Sequence, residues 1–349
     1  MYKIPERLKN IECYNPVTKP FRIRLDANES FLDLPDSIRT EVAKAVSDID
    51  FNRYPDPMAE ELCEKFGEFF QIKPQLLTAG NGSDELISLI VLNFLEKGDT
   101  MLTVMPDFSM YGFYANAIGV RVEAVEKKED MALSAVQVIK QAREKKARLV
   151  IFSNPCNPTA FVAKREDILQ IVEQLDALVV VDEAYMDFSD GSVLSEIEQY
   201  ENLIVLKTFS KAFGMAAIRL GFAAANESLT RILRGVKSPY NVNSMTQAVG
   251  CVLLKHPDYL QQCIEKICSS REDLYEKLKK LEENKQEIEK VYATSTNFVY
   301  LKVQNAEKIF KKLQEQGISI RYMNGYLRVT AGSPEENQEV VSALEELLA

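Results

Sequence analysis

Short apolar runs alternate with amphipathic helical stretches through the middle of this chain of 349 residues. Between the apolar runs, Asp84–Leu95 and Asp167–Leu175 carry apolar residues at helical spacing. Such an alternation predicts an α/β domain in which strands buried on both faces form a mainly parallel sheet covered by helices. The predicted strands are Met101–Met105, Val120–Val125, Leu149–Ser153, Leu178–Asp182, Leu203–Thr208 and Leu220–Ala224.

The pattern changes after about residue 245, where long charged helices begin. A smaller α+β domain is expected there, and the first stretch of the chain is expected to be an irregular arm because it is rich in Pro and Asn. The elements predicted for the smaller domain are a helix over Glu272–Glu289, a strand over Phe298–Val303, a helix over Ala306–Gln316 and a hairpin at 318–330. The predicted division is an N-terminal arm over residues 1–30, a large domain over 31–244 and a small domain over 245–349.

The composition excludes several kinds of function. The net charge is −10, from 42 Lys and Arg against 52 Asp and Glu, which argues against a nucleic-acid partner. A single histidine, His256, argues against a histidine-driven triad and against a multi-histidine metal site, and six cysteines form no CxxC pair, so no metal is expected. Unpaired thiols, a charged N-terminus and short apolar runs predict a cytoplasmic protein with no membrane partner.

Polar groups follow several of the predicted strands. Because the carboxyl ends of parallel strands meet at one edge of a sheet, these groups are expected to converge. The glycines of Gly80–Glu85 allow a tight turn, and the N–H groups at the start of the next helix attract an anion. Taken alone, however, Ser83 or Asp84 is better explained as a helix N-cap.

Two charged residues stand out at this edge. Asp182 follows a wholly apolar strand, and burying its carboxylate is costly unless a cation or donor pairs with it. Lys211 lies among small and apolar residues, where desolvation lowers the pKa of an amine and makes it nucleophilic. The alternative for Asp182 is that it only caps the next helix, and the alternative for Lys211 is that it is an ordinary surface lysine. Gly80–Glu85, Asp182 and Lys211, together with Arg219 and the Asn-Pro loop Asn154–Thr159, would suit one ligand that has a phosphate, a ring nitrogen and an aldehyde. Pyridoxal phosphate is such a ligand.

These residues resemble those of the fold-type I aminotransferases, and specifically the histidinol-phosphate aminotransferase family. The resemblance implies a mainly parallel seven-stranded sheet sandwiched by helices, a smaller α+β C-terminal domain, bound pyridoxal 5'-phosphate and a homodimer with shared sites. The stretches that carry it are Leu25–Glu29, Arg53–Pro57, Gly80–Glu85, Asn154–Thr159, Asp182–Tyr185, Thr208–Lys211 and Pro239–Asn243.

The resemblance also implies a role for each matching residue. Lys211 forms the Schiff base and moves the α-proton, and Asp182 pairs with the ring nitrogen. Tyr185 is the third residue of this catalytic set. Tyr54 reaches the cofactor phosphate of the neighbouring subunit. Asn157 joins Tyr185 at the ring's phenolic oxygen, and Phe108 stacks on the ring, where the family usually has Tyr. The phosphate is held by Gly82, Ser83, Asp84, Thr208, Ser210 and Arg219.

The predicted hairpin gives a clue that does not depend on the family. Asn324-Gly325 is a strong two-residue turn signal, and in that register Arg321 directly faces Arg328. Two facing arginines repel, and a bound anion would relieve the repulsion and use both side chains. Two solvated arginines on a sheet surface are the alternative.

The family likewise has substrate-binding arginines in this hairpin. The resemblance implies that Arg328 holds the carboxylate of glutamate or the phosphate of histidinol phosphate, with help from Arg321. Tyr14 and Asn28 would close the site. One further departure is Ala160, which stands where the family usually has Gly after Asn-Pro-Thr.

The function predicted on this basis is transamination of histidinol phosphate, a small-molecule amino donor, with 2-oxoglutarate as the 2-oxo-acid acceptor. Three alternatives share some of these residues. They are a broad-specificity or aromatic amino-acid aminotransferase, a threonine-phosphate decarboxylase, and a non-catalytic pyridoxal-phosphate-binding regulator.

Overall fold

The computed structural model describes residues 2–4, 9 and 20–348. The strands are β1 Ile23–Arg24, β2 Leu77–Gly80, β3 Thr100–Met105, β4 Arg121–Glu126, β5 Leu149–Ser153, β6 Leu178–Asp182, β7 Leu203–Thr208, β8 Gly221–Ala225, β9 Ile288–Val291, β10 Phe298–Val303, β11 Ile318–Ser319, β12 Arg321–Met323 and β13 Tyr326–Thr330. The helices are α1 Asp36–Ser47, α2 Glu60–Phe70, α3 Ser83–Phe94, α4 Met110–Ile118, α5 Ala135–Lys145, α6 Arg165–Gln174, α7 Glu227–Val236, α8 Ser244–Leu254, α9 Pro257–Asn284, α10 Ala306–Glu315 and α11 Pro334–Leu347.

The large sheet contains seven strands in the order β2-β8-β7-β6-β5-β3-β4. All pairings are parallel except those of β8, which runs antiparallel to both β2 and β7. The six strands predicted from apolar runs each match an observed strand to within a residue. The predicted fold class, a mainly parallel seven-stranded sheet between helices, is therefore confirmed.

Each central strand buries both of its faces, which explains why the runs are apolar throughout. Val205 of β7 packs into a core on one side of the sheet, with Phe66 and Phe222. The next residue, Leu206, packs into a separate core on the other side, with Ile90 and Tyr111. Helices cover both faces, and among the described residues none is long and apolar enough to cross a membrane.

The small sheet is antiparallel, in the order β12-β13-β10-β9, and packs with α9, α10 and α11 around its own core. Its turn at Asn324-Gly325 gives the predicted register, in which Arg321 is the Cα partner of Arg328. The two arginines thus project from the same face of the sheet, as predicted. The domain limits predicted from the sequence remain a prediction.

Three predictions of local structure are wrong. Ile23–Arg24 is not irregular but forms β1, which pairs in parallel with Ile318–Ser319. Ile318–Ser319 is therefore not part of the hairpin, which was predicted to begin at 318 and begins at Arg321. The charged helix ends at Asn284 and not at Glu289, because the chain turns there into β9 and Ile288 pairs with Val303.

Candidate functional site

The polar groups that follow the strands meet at one edge of the large sheet. Two successive antiparallel pairings, β2 with β8 and β8 with β7, make β2 run in the same direction as β7. The ends of β2, β5, β6 and β7 therefore lie at the same edge, which is where ligands bind in sheets of this kind.

Lys211 occupies the centre of this edge. Its amine nitrogen Nζ donates to the carbonyl oxygen of Ala27 at 3.0 Å and lies 5.8 Å from the centre of the Tyr185 ring. Burial, with a further contribution from the positive charge of Arg328, lowers the pKa of Lys211 to about 8. An appreciable fraction of this amine is therefore neutral, and nucleophilic, near neutral pH.

Asp182 is a buried carboxylate with donors but no cation. Its oxygens accept from the Tyr111 hydroxyl at 2.8 Å and from the Ala184 N–H at 3.1 Å. Burial raises the pKa of Asp182 to about 6. In the part of the chain that the structure describes, no Lys, Arg or His forms an ion pair with it. A positively charged ring nitrogen would supply the missing partner.

The glycine turn brings its backbone against a guanidinium group. Gly82 has φ of +84°, and a Cβ atom there would lie 2.7 Å from Nη2 of Arg219. Gly82, which has no capping side chain, is the N-cap of α3, so the capping explanation of Ser83 and Asp84 is wrong. The Asp84 carboxylate instead accepts from the Tyr114 hydroxyl at 2.8 Å. The helix start is thus left for an anion.

Hydroxyl groups from the end of β7 complete this anion cradle. The Ser210 N–H donates to Thr208 Oγ1 at 3.2 Å, and Arg219 Nη1 donates to Ser210 Oγ at 3.3 Å. Two hydroxyls, one guanidinium group and a helix N-terminus therefore lie close together, and groups of these kinds bind phosphate.

A second anion-binding group comes from the small sheet. Arg328 donates to Asn157 Oδ1 and, at 2.6 Å, to the carbonyl oxygen of Asp26, and its guanidinium lies 5.2 Å from the Phe298 ring centre. Arg321 projects beside it. These contacts bring Arg328 to the same edge as Asn157.

Tyr185 is fixed by a residue from the N-terminal segment. Its hydroxyl accepts from Asn28 Nδ2 at 2.7 Å, and its ring packs edge-on against Phe298 with centroids 5.4 Å apart. Asn28 is in turn hydrogen-bonded to Thr330 of β13 and to Asn297, which directly precedes β10. The structure therefore brings together Lys211, Tyr185 and Asn28.

The two departures from the family pattern are both accommodated. Phe108 is half-buried, with its ring edge-on to Tyr111 at 5.5 Å. Ala160 adopts φ of +61°, a conformation that favours glycine, and is fully buried. Its loop nevertheless closes, because the Ala160 N–H donates to the Cys156 carbonyl at 2.8 Å and its carbonyl accepts from the Ser295 N–H.

One predicted residue, Tyr54, lies apart from this cluster. Tyr54 lies on the surface, 80% exposed, with its ring stacked on Tyr240 at 4.5 Å. Tyr14 lies outside the described residues.

Sequence reasoning missed Tyr111 and Thr330. Tyr111 was detectable only as the aromatic residue three positions after Phe108, and in the first turn of α4 its ring contacts that of Phe108. Thr330 follows Arg328 by two residues and so shares its face of β13.

This fold and this edge define an α/β enzyme with a site for a phosphorylated cofactor. Comparison with known proteins agrees. The model of the family "Aminotransferase class I and II" matches residues 22–344. Histidinol-phosphate aminotransferase of Clostridium novyi is 40% identical over 97% of this chain and 95% of its own length. The enzyme of that name from Clostridium kluyveri is also 40% identical, over 97% of this chain and 98% of its own.

A solved structure shows the same fold. Histidinol-phosphate aminotransferase from Sinorhizobium meliloti, in complex with pyridoxal-5'-phosphate, superposes with a TM-score of 0.91 at 21% identity, covering 100% of this chain and 98% of that one. The chain belongs to the class I and II aminotransferase family, which confirms the membership predicted from its motifs.

Proposed function

We propose that this chain is a pyridoxal-phosphate-dependent aminotransferase that moves the amino group of histidinol phosphate to 2-oxoglutarate. Its relatives of that name, 40% identical over nearly the whole chain, support the substrate. The observation that carries the cofactor assignment is the buried carboxylate of Asp182, which forms no ion pair with any described residue and shares an edge with the amine of Lys211. A cytoplasmic location is part of the same proposal, because six cysteines without a CxxC pair suit a reducing compartment.

The residues at the sheet edge fit this cofactor. Asp182 would hold the protonated ring nitrogen, and Tyr185 with Asn157 would hold the phenolic oxygen. Phe108 would stack on the ring. The phosphate would lie in the cradle made by Gly82, Ser83, Asp84, Thr208, Ser210 and Arg219. When bound, pyridoxal phosphate supplies a ring that accepts the electron pair released at the substrate's α-carbon.

Lys211 would transfer the proton, and Asp182 would stabilise the charge of the ring nitrogen. Lys211 Nζ takes the proton from the α-carbon and returns it, for which its pKa of about 8 is suited near neutral pH. The Asp182 carboxylate stays ionised above its pKa of about 6 and keeps the opposing ring nitrogen charged.

The arginines of the hairpin would orient the substrate. Arg328 is 7% exposed and rests on Phe298, so its planar group is preorganised for a carboxylate or a phosphate. Arg321, beside it, adds a second positive charge. Histidinol phosphate carries a phosphate, and glutamate, the amino acid formed from 2-oxoglutarate, carries carboxylates. One site can therefore serve both compounds in turn. Asn28 and Tyr14 would close the site around them.

A homodimer with shared sites is also part of the proposal. Phe51 and Tyr54 are 72% and 80% exposed, and the exposed side chains of Tyr240 and Met245 lie on the neighbouring segment. Exposed apolar side chains grouped in this way are typical of an interface. A second copy of the chain that covers this patch would receive the Tyr54 hydroxyl at its cofactor phosphate.

Tyr54→Phe is expected to weaken the binding of pyridoxal phosphate about 10- to 100-fold, because a hydrogen bond to a charged group contributes about 1.5–3 kcal/mol. Equilibrium dialysis measures this affinity. Tyr240→Phe is the matched control, since it removes a hydroxyl from the other ring of the same stacked pair and should leave the affinity unchanged.

Sharing between subunits is tested by mixing Tyr54→Phe chains with Lys211→Ala chains at limiting cofactor. If Tyr54 serves its partner, mixed dimers contain one complete site, and activity should recover to roughly a quarter of the wild-type value. No recovery beyond the sum of the separate variants would show that Tyr54 does not serve a neighbouring site.

The proposed reaction is tested by a single-turnover measurement. Cofactor-loaded protein is mixed separately with histidinol phosphate, glutamate, phenylalanine and phosphothreonine, and the conversion of the cofactor to its pyridoxamine form is followed by absorbance. Fast conversion by histidinol phosphate and glutamate is expected. Faster conversion by phenylalanine would instead favour a broad-specificity enzyme, and carbon dioxide release from phosphothreonine without conversion would favour a decarboxylase.

A further inference from the structure

Three hydrogen bonds link the small sheet to the hydroxyl of Tyr185. The backbone N–H of Asn28 donates to Thr330 Oγ1 at 3.1 Å, and Thr330 Oγ1 bonds to Asn28 Oδ1 at 3.0 Å. The other end of the same amide, Asn28 Nδ2, bonds to the Tyr185 hydroxyl at 2.7 Å. All three residues are buried, with exposed fractions of 1%, 1% and 4% for Asn28, Thr330 and Tyr185.

The direction of these bonds follows from the backbone N–H, which can only donate. Thr330 Oγ1 therefore accepts one bond, and its own proton needs an acceptor. Among the described residues, the acceptor in hydrogen-bond contact with this hydroxyl is Asn28 Oδ1. Turning the Asn28 amide around would place two donors against the hydroxyl and leave its buried proton unpaired, which is costly.

The fixed amide then determines what Tyr185 can do. Asn28 Nδ2 is a donor only, so the Tyr185 oxygen accepts from it and the Tyr185 proton is directed elsewhere. Within the described part of the chain, Tyr185 forms no other side-chain hydrogen bond, and its ring lies beside Lys211. The Tyr185 proton is therefore available to an acceptor bound beside Lys211.

We propose that Thr330 is a positioning residue whose hydroxyl fixes the Asn28 amide, so that Tyr185 acts as a hydrogen-bond donor to an anionic oxygen in the site. The inference rests on the proposed function, in which that oxygen is the phenolic oxygen of the cofactor. Thr330 stands two residues after Arg328 on β13, so one strand carries both the anion-binding side chain and the group that orients Tyr185.

The backbone around the Asn28–Thr330 pair is held by further hydrogen bonds. The backbone carbonyl of Asn28 accepts from Asn297 Nδ2 at 3.1 Å, and the backbone N–H of Thr330 donates to the Leu25 carbonyl at 3.0 Å. The backbone on both sides of the Asn28–Thr330 pair is thus held. The amide can rotate only about its own side-chain bonds, and the Thr330 hydroxyl is what selects its orientation.

Thr330→Val tests the proposal, because valine keeps the shape and removes the hydroxyl. The readout is the pH midpoint of the absorbance change of protein-bound pyridoxal phosphate. A donor at the phenolic oxygen stabilises the deprotonated form of the bound chromophore, so its loss should raise the midpoint by about one pH unit. Thr330→Ser, which keeps the hydroxyl, should leave the midpoint within a few tenths of a unit of the wild-type value.

A double-variant cycle separates positioning from a general structural effect. In a Tyr185→Phe background, Thr330→Val should cause no further shift, because the donor it orients is gone. An equal shift in both backgrounds, or no shift in Thr330→Val alone, would overturn the inference. If Thr330→Val does not fold, Asn28→Asp replaces it, since a carboxylate would take the Tyr185 proton and should raise the midpoint at least as far.

The two proposals fail in different ways. Wild-type protein that gives no absorbance band with pyridoxal phosphate would contradict the proposed function, and with it the anion that Tyr185 serves. A normal wild-type band with an unshifted Thr330→Val midpoint would contradict the role of Thr330 alone.

Discussion

Lys211→Ala is expected to lower the rate of transamination by about 10⁴-fold or more, because proton transfer by a positioned base contributes about 10²–10⁴-fold and the covalent link to the cofactor is lost as well. The amine is the group at the sheet edge whose pKa, about 8, suits it to take and return a proton near neutral pH. Its bond to the Ala27 carbonyl fixes its position. Single-turnover absorbance with histidinol phosphate measures the loss.

The pH dependence of covalent attachment gives an independent test. Only the neutral amine attacks an aldehyde, so the rate at which the cofactor becomes reducible onto the wild-type chain by borohydride should rise up to about pH 8 and level off above it. Lys211→Arg keeps the positive charge but should show no attachment at any pH. Normal turnover in Lys211→Ala would remove Lys211 from the mechanism.

Asp182→Asn is expected to act in opposite directions on activity and on stability. Activity should fall about 10²–10³-fold or more, because breaking a buried ion pair costs about 3–5 kcal/mol and the ring nitrogen would lose its only counter-charge. In the cofactor-free protein, by contrast, the same change removes a buried charge that forms no ion pair with the described residues. The free energy of unfolding at pH 7 should then rise by about 2–3 kcal/mol, the equivalent of the rise in the pKa of Asp182 to about 6.

The sign of the pH effect follows from that raised pKa. Between the unfolded pKa of about 4 and the folded pKa of about 6, the folded chain binds more protons than the unfolded chain, so its stability falls as the pH rises. The advantage of Asp182→Asn should therefore disappear below about pH 4. Urea unfolding of cofactor-free protein at pH 4 and pH 7 measures it, and a less stable variant at pH 7 would contradict the prediction.

Tyr111→Phe is the matched comparison, since it keeps the carboxylate and removes one donor. The Tyr111 hydroxyl bond lowers the pKa of Asp182, so its loss should raise that pKa further. Activity should then fall at pH 6 and recover at pH 8, whereas Asp182→Asn should stay inactive at both.

Patterns that depend on neighbouring residues were sufficient for much of the fold. The strands could be located because both of their faces are buried, and the register of Arg321 with Arg328 follows from a two-residue turn. Because Asp182 ends β6 and Lys211 follows β7, the parallel order of these strands was enough to predict that both residues lie at one edge of the sheet.

The remainder depends on contacts that local patterns do not encode. The pairing of Ile23 with Ile318 joins residues from opposite ends of the chain, and strands of two residues have no periodicity to detect. Thr330 is an unremarkable strand residue until Asn28 is placed against it. The positive φ of Ala160 is likewise imposed by its surroundings, against the preference of alanine.

The placement of Asn28 against Thr330 has a consequence for how the protein is made. The site draws on the beginning of the chain, on Lys211 in its middle and on a strand close to its end. During synthesis, a domain folds as its residues leave the ribosome, and pairings of such long sequence separation form last. The large sheet can therefore be complete while the site is not, and a nascent chain that stops short of β13 should acquire a folded core without a competent place for its cofactor.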